Sequence, residues 1–341
     1  MTAGLAELRD AASWVARAAG REHHPIEMSG GPGGLTLACG LAFHRKVITI
    51  DYEGGPIEAV VPSALFASWL ETQTGKSVVL TSDDKVRAKA RGTVTLPKLA
   101  MPDRAAPPQP RPWLEVDADV IHEAITAASA HGGRRDALPY ELSFGVSPAM
   151  IFGGSPYGAA VTRLGGPEEQ AVQVDREQLR GAVAGAQGSV ELLRADWSLM
   201  WVRHGDRETQ MGLQDYVMPD FAKVTAMPTS KRLEADAAEF RSAVRGASFE
   251  TDVVQIDAAD GRLEVQSLRS TREKQVLASG IDGVDCSGDD LTARFNAPWL
   301  SAVLATLTGD VQVTWTPDRG PYHLTDGRGA HHVLMPIKGD T

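Results

Sequence analysis

The sequence predicts an α+β protein built from three tandem copies of one domain, each with two helices packed on antiparallel sheet. Three segments align without gaps, namely Val61–Gly75, Val174–Gly188 and Phe295–Gly309. An alternating strand pattern follows each segment, and an amphipathic helix precedes each one. Because the strands come in runs joined by turns, antiparallel pairing is expected rather than a parallel sheet alternating with helices.

Each repeated segment has the pattern of a capped helix that leads into a strand. It opens with residues suited to a first helical turn (Pro62-Ser63, Asp175 and Asn296) and closes on a glycine. In the third copy one helical face is apolar, formed by Trp299, Leu300, Val303, Leu304 and Leu307.

The preceding helices carry apolar stripes at helical spacing. We expect these stripes to face a core; they comprise Leu5, Leu8, Ala12 and Val15 in the first copy, Val120, Ile121, Ala124, Ile125 and Ala128 in the second, and Phe240, Ala243, Val244 and Ala247 in the third.

The first two repeats end in similar sequence patterns, which indicate the domain boundaries. Leu96 is followed by Met101-Pro102-Asp103, and Leu213 is followed at the same interval by Met218-Pro219-Asp220. The proline-rich stretch 103–112 has the composition of a semi-rigid linker. The predicted domains are therefore 1–108, 109–226 and 227–341.

Composition and charge exclude several classes of protein. A chain of 341 residues with 43% hydrophobic and 23% charged residues is an ordinary globular protein of two or three domains. The net charge of −10 argues against bulk attraction to nucleic acid, but it is compatible with basic residues gathered on one surface.

No feature of the sequence indicates a membrane, a metal or a cofactor. No apolar run is long enough for a membrane span, and the first twenty residues lack the basic start and apolar core of a signal peptide. Cys39 and Cys286 stand in no metal-binding spacing. These patterns predict a cytoplasmic protein without a metal site, a cofactor or catalytic residues.

Two stretches carry a resemblance to a known family. They are Phe295 to Lys338, with Trp299-Leu300 and the closing run Val333-Leu334-Met335-Pro336-Ile337-Lys338, and Met218-Pro219-Asp220-Phe221 with Lys223-Val224. Together with the threefold repeat, they resemble the bacterial DNA sliding clamp, the beta subunit of DNA polymerase III. The resemblance implies a non-enzymatic processivity factor, a head-to-tail homodimer that closes into a ring around duplex DNA.

One segment departs from the family pattern. Phe152 to Val161 stands where the family carries a Thr-Asp-Gly-His-Arg-Leu motif. The chain is therefore interpreted as a divergent clamp, and a phage-borne or second-copy origin stays open. The alternative function is a clamp-fold regulator or decoy that has lost ring closure or normal peptide binding; an unrelated three-domain enzyme is a third hypothesis, for which no nucleophile or metal site is evident.

The resemblance implies sequence-independent contacts with double-stranded DNA through basic residues on the helices. A sliding protein needs weak contacts that are directed at phosphates. The candidates are Arg17, Arg21, Arg134, Arg135, Arg180, Arg241 and Arg245. For each arginine the competing interpretation is an ordinary solvated surface residue.

The resemblance also implies a cleft between the second and third domains for short peptides of the replicative polymerase and the clamp loader. By position its walls are Tyr157, Gly158, Ala159, Pro219, Lys223, Val224, Pro321, Val333, Leu334, Met335, Pro336 and Ile337. Methionine and isoleucine would give an adaptable apolar surface, and Lys223 could meet a polar end of the peptide. The competing interpretation of Val333-Leu334-Met335 is an ordinary core strand.

A charged strand in the first domain is a candidate for ring closure. Lys85, Arg87, Lys89 and Arg91 alternate along one predicted strand and would face one side. We expect an edge strand here, serving either as a charge-matched joint between subunits or as a protected edge.

Overall fold

A computed structural model describes residues 2–17, 24–41, 44–101, 108–132, 137–195, 198–215, 218–248, 251–267, 278–282, 284–287, 291–316 and 320–337. Within these ranges the helices are α1 (Leu5–Ala16), α2 (Ser63–Thr72), α3 (Ala118–Ser129), α4 (Arg176–Val183), α5 (Phe221–Thr225), α6 (Ala237–Ala247) and α7 (Ala297–Leu304), with a 3-10 turn at Pro139–Leu142. None of these described helices is both long and apolar enough to cross a membrane.

The strands of the first half are β1 (Thr2–Gly4), β2 (Ile26–Gly31), β3 (Gly34–Leu41), β4 (His44–Ile50), β5 (Tyr52–Glu53), β6 (Ile57–Val61), β7 (Ser77–Ser82), β8 (Lys85–Lys89), β9 (Thr93–Pro97), β10 (Arg111–Asp117), β11 (Ser143–Val146), β12 (Met150–Ser155) and β13 (Gly158–Arg163). Those of the second half are β14 (Val172–Asp175), β15 (Ser189–Arg194), β16 (Leu199–His204), β17 (Arg207–Gly212), β18 (Lys231–Asp236), β19 (Val253–Ala259), β20 (Arg262–Ser267), β21 (Ala278–Asp282), β22 (Asp285–Ser287), β23 (Leu291–Asn296), β24 (Asp310–Trp315), β25 (Tyr322–Thr325) and β26 (Ala330–Leu334).

The chain divides into two compact units. The first unit contains Met1–Ala118 and Glu177–Gln214, and the second contains Asp119–Arg176 and Asp215–Thr341. The described strands pair only antiparallel, and helices pack on the sheets, so the predicted α+β class is confirmed. The middle third of the chain contributes strands to both units.

A long sheet runs through the first unit in the order β10-β15-β16-β17-β4-β3-β2-β6. Its central pairing joins β17 from the middle third of the chain to β4 from the first third. The register sets Arg207 opposite Ile48 and Met211 opposite His44. One sheet therefore continues from one predicted repeat into the next.

The second unit repeats this arrangement in a sheet ordered β14-β11-β12-β13-β26-β25-β24-β18-β22. Here β13 of the middle third pairs with β26 of the last third. Gly158 lies opposite Leu334, and Thr162 lies opposite Ala330. The same scheme of strand pairing thus joins the second repeat to the third.

Two smaller sheets complete the described part of the chain, and one of them corrects a prediction. Their orders are β5-β1-β7-β8-β9 and β21-β20-β19-β23. Lys85, Arg87 and Lys89 do share an exposed face of β8. The expectation of an edge strand was wrong, because β8 pairs with β7 on one side and with β9 on the other.

One backbone hydrogen bond recurs in all three repeats and ties the start of the first helix to the loop after the second. Leu5 N donates to Lys76 O at 3.0 Å, Ala118 N donates to Gly188 O at 2.7 Å, and Ala237 N donates to Gly309 O at 2.8 Å. An amide of the first helical turn has no partner inside its own helix, so the loop satisfies it. The recurrence supports the threefold repeat that the sequence indicates.

The apolar stripes of the helices form the cores almost as predicted. The stripe of α1 lies against α2 and the strands of the first unit, and the stripe of α6 lies against α7 and β20. All the predicted residues of these two stripes are buried. Val120 on α3 is the exception, because it is 38% exposed. The other predicted residues of this stripe, Ile121, Ala124, Ile125 and Ala128, are buried.

Side-chain caps begin two helices of the third repeat. The carboxylate of Asp236 accepts a hydrogen bond from Glu239 N at 2.8 Å, and the amide oxygen of Asn296 accepts one from Trp299 N at 3.1 Å. The predicted cap at Asn296 is confirmed. In the first repeat Pro62 occupies the cap position, and no side chain there accepts such a bond.

We predict that Asp236→Ala lowers the free energy of unfolding by about 1 kcal/mol, because the amide of Glu239 loses its acceptor. Urea unfolding measures the loss, and amide hydrogen exchange should be faster in the first turn of α6. Asp236→Asn is the matched control, since an asparagine oxygen caps equally well. Equal stability of the alanine and asparagine variants would contradict the assignment.

Candidate partner cleft and nucleic-acid interface

Strand pairing in the second unit brings two of the predicted cleft segments together. β13 and β26 are neighbours, so Gly158 and Ala159 lie opposite Leu334 and Val333. Beyond the end of β26, Met335 N donates to Tyr157 O at 2.9 Å. The segments 157–159 and 333–335, far apart in sequence, therefore lie side by side.

The third predicted segment docks on the same strands through one aromatic side chain. Phe221 begins the short helix α5, which packs against β12, β13 and β26. The phenylalanine is buried with Ala159 and Val161. A Cβ atom at Gly154 would come within 2.6 Å of its ring, so glycine makes this close approach feasible.

The Met-Pro-Asp-Phe run has a local structural role as well. Asp220 accepts a hydrogen bond from Lys223 N at 3.2 Å, which caps α5, and its carboxylate pairs with the Lys223 ammonium at 3.0 Å. The Lys223 side chain is 84% exposed, so this surface pair adds little stability. Lys223 thus stands at the surface, as an interaction with the polar end of a peptide would require.

An exposed aromatic contact completes the apolar part of the surface. The rings of Tyr157 and Trp299 lie 4.5 Å apart between centroids. Tyr157 is 54% exposed, Met335 41% and Ile337 38%, values that are high for apolar side chains. We call the surface formed by Tyr157, Trp299, Met335 and Ile337 the apolar patch.

The remaining predicted wall residues differ in their exposure. Val333, Leu334 and Ala159 are buried, and Leu334 belongs to the core around α6 and α7. Pro321 precedes Tyr322, which pairs with Leu334, and Pro219 is exposed before α5. The buried members can support the surface from beneath, while Tyr157, Met335 and Ile337 present accessible atoms.

A buried chain of histidines lies beneath this surface. His131 Nε2 is 3.0 Å from His332 Nδ1, and His332 Nε2 is 3.0 Å from Thr306 Oγ1. Because the Thr306 hydroxyl donates to Val303 O at 2.8 Å, it accepts from His332 Nε2–H, and Nδ1 must then accept from His131. The chain is complete only when the imidazole of His332 is neutral, because its Nδ1 must accept.

Burial keeps these imidazoles neutral. Burial and the nearby His331 lower the pKa of His332 to about 3, although Asp326 acts to raise it. Burial, His332 and Arg176 likewise hold the pKa of His131 well below its usual value. The pKa of His323, whose Nδ1 is 2.9 Å from His331 Nε2, is lowered to about 4 by burial and by His331.

Four of the seven predicted DNA-binding arginines lie in the part of the chain that the structure describes. Arg17 is exposed at the end of α1, and Arg180 on α4 pairs with Glu177 at 3.2 Å. On α6, Arg241 is half-buried and Arg245 is exposed in the last turn. Arg21, Arg134 and Arg135 fall outside the described residues, so their placement stays a prediction.

Sequence reasoning missed three residues that the structure makes prominent. Trp299 leaves the predicted core stripe and contacts Tyr157, and Phe221 anchors α5. Lys46 was overlooked although its position carried a signal. It alternates with Ile48 and Ile50 along β4, so a charged residue occupies an inward position.

Comparisons with known proteins identify the fold. Scans of the sequence against protein-family models and against curated proteins found no match. Among solved structures, the DNA polymerase III subunit beta of Pseudomonas aeruginosa matches with a TM-score of 0.84 over 99% of both chains, at 16% identity. Two structures titled as the DNA polymerase sliding clamp of Pseudomonas aeruginosa, one with a ligand, match with the same values. The chain has the fold of a bacterial sliding clamp, as the resemblance in sequence implied.

We predict that the free energy of unfolding falls as the pH is lowered from about 6.5 towards 4. Histidines of the unfolded chain bind protons near pH 6.5, whereas His332 and His323 in the folded chain do so only near pH 3 and 4. The unfolded state therefore binds more protons in this window, and urea unfolding at a series of pH values measures the slope.

The variant His332→Gln should flatten that slope, because it removes the central imidazole of the chain. Leu65→Ala, at an exposed position without a titratable group, is the control and should keep the wild-type slope. A slope that is unchanged in His332→Gln would contradict the assignment.

Proposed function

Because the chain has the fold of a bacterial sliding clamp, we propose that it is a DNA sliding clamp. It encircles duplex DNA and tethers the replicative polymerase as a processivity factor, without catalysing a reaction. The observation that supports this most directly is the match of one fold over 99% of the chain at a TM-score of 0.84. The threefold repeat of a two-helix module fits the same function.

The proposed ring is a head-to-tail homodimer with three domains, 1–108, 109–226 and 227–341, in each chain. Closing such a ring requires a sheet edge on each side of the joint. Among the described strands, β9 pairs only with β8, and β21 pairs only with β20. We propose that β9 of one subunit joins β21 of the next, since edge strands readily pair with another chain.

The proposed contacts with DNA are electrostatic and independent of sequence. Arginines approach the DNA phosphates and make no base-specific contacts. They are Arg17, Arg21, Arg134, Arg135, Arg180, Arg241 and Arg245. The net charge of −10 requires these cations to be concentrated on the DNA side. Such a distribution confines the duplex and still allows it to slide.

The proposed partner site is the surface around the apolar patch. Polymerase and clamp-loader peptides with an apolar tail would place that tail against Tyr157, Met335 and Ile337, with Lys223 near their polar groups. Support comes from the exposure of these three apolar side chains above a buried, hydrogen-bonded base. A polarizable, flexible methionine suits binding to several related peptides.

The alternative function, a regulator or decoy with the clamp fold, is favoured by one observation. The segment that departs from the family motif forms β12 and β13, directly beside the apolar patch. A chain that binds DNA as a ring but no polymerase peptide would fit this alternative. The two experiments below separate the two functions.

We predict that the protein sediments as a dimer at micromolar concentration and stays bound to nicked circular DNA once a clamp loader and ATP have placed it there. Linearising the circle should release it, because a ring slides off free ends. A monomer that shows no retention on circular DNA would contradict the proposal.

We predict that Tyr157→Ala weakens binding of a fluorescently labelled peptide from the C-terminus of the host's replicative polymerase about tenfold, as loss of an aromatic anchor does. Fluorescence anisotropy measures the affinity. Leu65→Ala is the control, because Leu65 is an equally exposed apolar residue on α2. Unchanged affinity in Tyr157→Ala would place the peptide elsewhere.

A further inference from the structure

A pocket of about 300 Å³ lies in the first unit, beside α1, β4, α4 and β17. It is separate from the apolar patch, which belongs to the second unit. Its charged and aromatic lining residues include Trp14, Arg17, Lys46 and Arg207, together with Asp10 and Glu177. The pocket reaches the surface beside Asp10 and Arg17, which are both exposed.

Lys46 is the unusual member of this lining. It is only 6% exposed, and its position on the inward face of β4 points it towards α1. Its Nζ atom lies 4.7 Å from the centroid of the buried Trp14 ring. This cation–π contact holds the ammonium at the wall of the pocket, yet it supplies no counter-charge.

The neighbouring charges add to the positive potential at this point. The Arg207 guanidinium lies 5.3 Å from the centroid of the same indole, and Arg17 lines the pocket as well. Burial, and then the charges of Arg17 and Arg207, lowers the pKa of Lys46 to about 8. Two cations thus lie over one aromatic ring, and a third lines the same pocket.

The two carboxylates of the lining are each paired with an arginine, one of which is Arg207 of the pocket itself. Asp10 accepts a hydrogen bond from Arg207 at 2.7 Å, and Glu177 pairs with Arg180 at 3.2 Å. Among the described residues no carboxylate lies within ion-pair distance of Lys46. A buried ammonium without a counter-ion is costly, so the pocket is suited to receive an anion.

We propose that this pocket binds a phosphate group, between the Lys46 ammonium and the guanidinium groups of Arg17 and Arg207. Guanidinium and ammonium groups together are the donors that proteins use for phosphate, and a doubly charged anion offsets more of this charge than a carboxylate would. The phosphate comes either from a DNA backbone or from a free phosphate in solution. Only the DNA source rests on the proposed function.

Binding at the proposed site should depend on pH through Lys46. An anion in the pocket favours the protonated form of Lys46. Binding therefore weakens as the pH rises above about 8, where the empty pocket loses this proton. The titratable and charged groups that line the pocket together with Lys46 are Asp10, Arg17, His44, Glu177 and Arg207.

The test measures binding of inorganic pyrophosphate to the full-length protein by isothermal titration calorimetry. We expect Lys46→Gln to weaken the affinity at least about tenfold, because a charge-assisted contact in a buried site is lost. Arg17→Gln, at an exposed position, should weaken it to a smaller degree. Lys76→Gln, an exposed lysine of the same unit, is the matched control and should bind as wild type does.

A charge-preserving variant keeps the test independent of folding effects. The affinity of the wild type for pyrophosphate, divided by that of Lys46→Arg, should fall between pH 7 and pH 9.5, because only the lysine loses its proton there. The ratio cancels the titration of pyrophosphate itself. Absence of pyrophosphate binding by the wild type, or equal binding by wild type and Lys46→Gln, would overturn the proposal.

A second arm identifies the source of the phosphate. A linear 20-base-pair duplex should compete with pyrophosphate for the wild type, and Lys46→Gln should bind that duplex with a salt slope smaller by about one. Competition assigns the site to a DNA backbone, and pyrophosphate binding without competition assigns it to a free phosphate. Both results support the site, and neither requires a closed ring.

Discussion

Backbone pairing between strands of different repeats is the interaction on which the rest of the structure depends. β17 joins β4 in the first unit, and β13 joins β26 in the second. Side chains alternate along a strand, so a slip of one residue would turn every inward residue of these strands outward. The register therefore determines which residues form cores and which form surfaces in both units.

The composition of the apolar patch and of the pocket beside Lys46 follows from these two pairings. Pairing of β13 with β26 buries Ala159 and Val333 and leaves Tyr157 and Met335 exposed just beyond the paired segment. Pairing of β17 with β4 brings Arg207 into the neighbourhood of Lys46 and Trp14. Each surface is therefore assembled from residues of two repeats, although each lies within one unit.

The sequence predicted what depends on local pattern. Spacing and capping act over a few residues, so the sequence predicted the features that depend on them. These are the helices of the three aligned segments, the Asn296 cap and the buried stripes of α1 and α6. The edge position of β8 was mispredicted, since an exposed charged face looks alike on an edge strand and an inner one. The pairings between repeats left no local trace, so the contacts around Lys46 and between Tyr157 and Trp299 could not be derived from spacing.

The continuation of each long sheet across repeats has a consequence for how the chain folds as it leaves the ribosome. β4 is synthesised long before β17, and β13 long before β26. Until the later strand is made, β4 and β13 each have one edge whose backbone amides and carbonyls are unpaired. Pairings so distant in sequence form slowly, and unpaired edges in the interval invite association with other nascent chains. Protection by a chaperone during synthesis would therefore matter more for this architecture than for three independently closed domains.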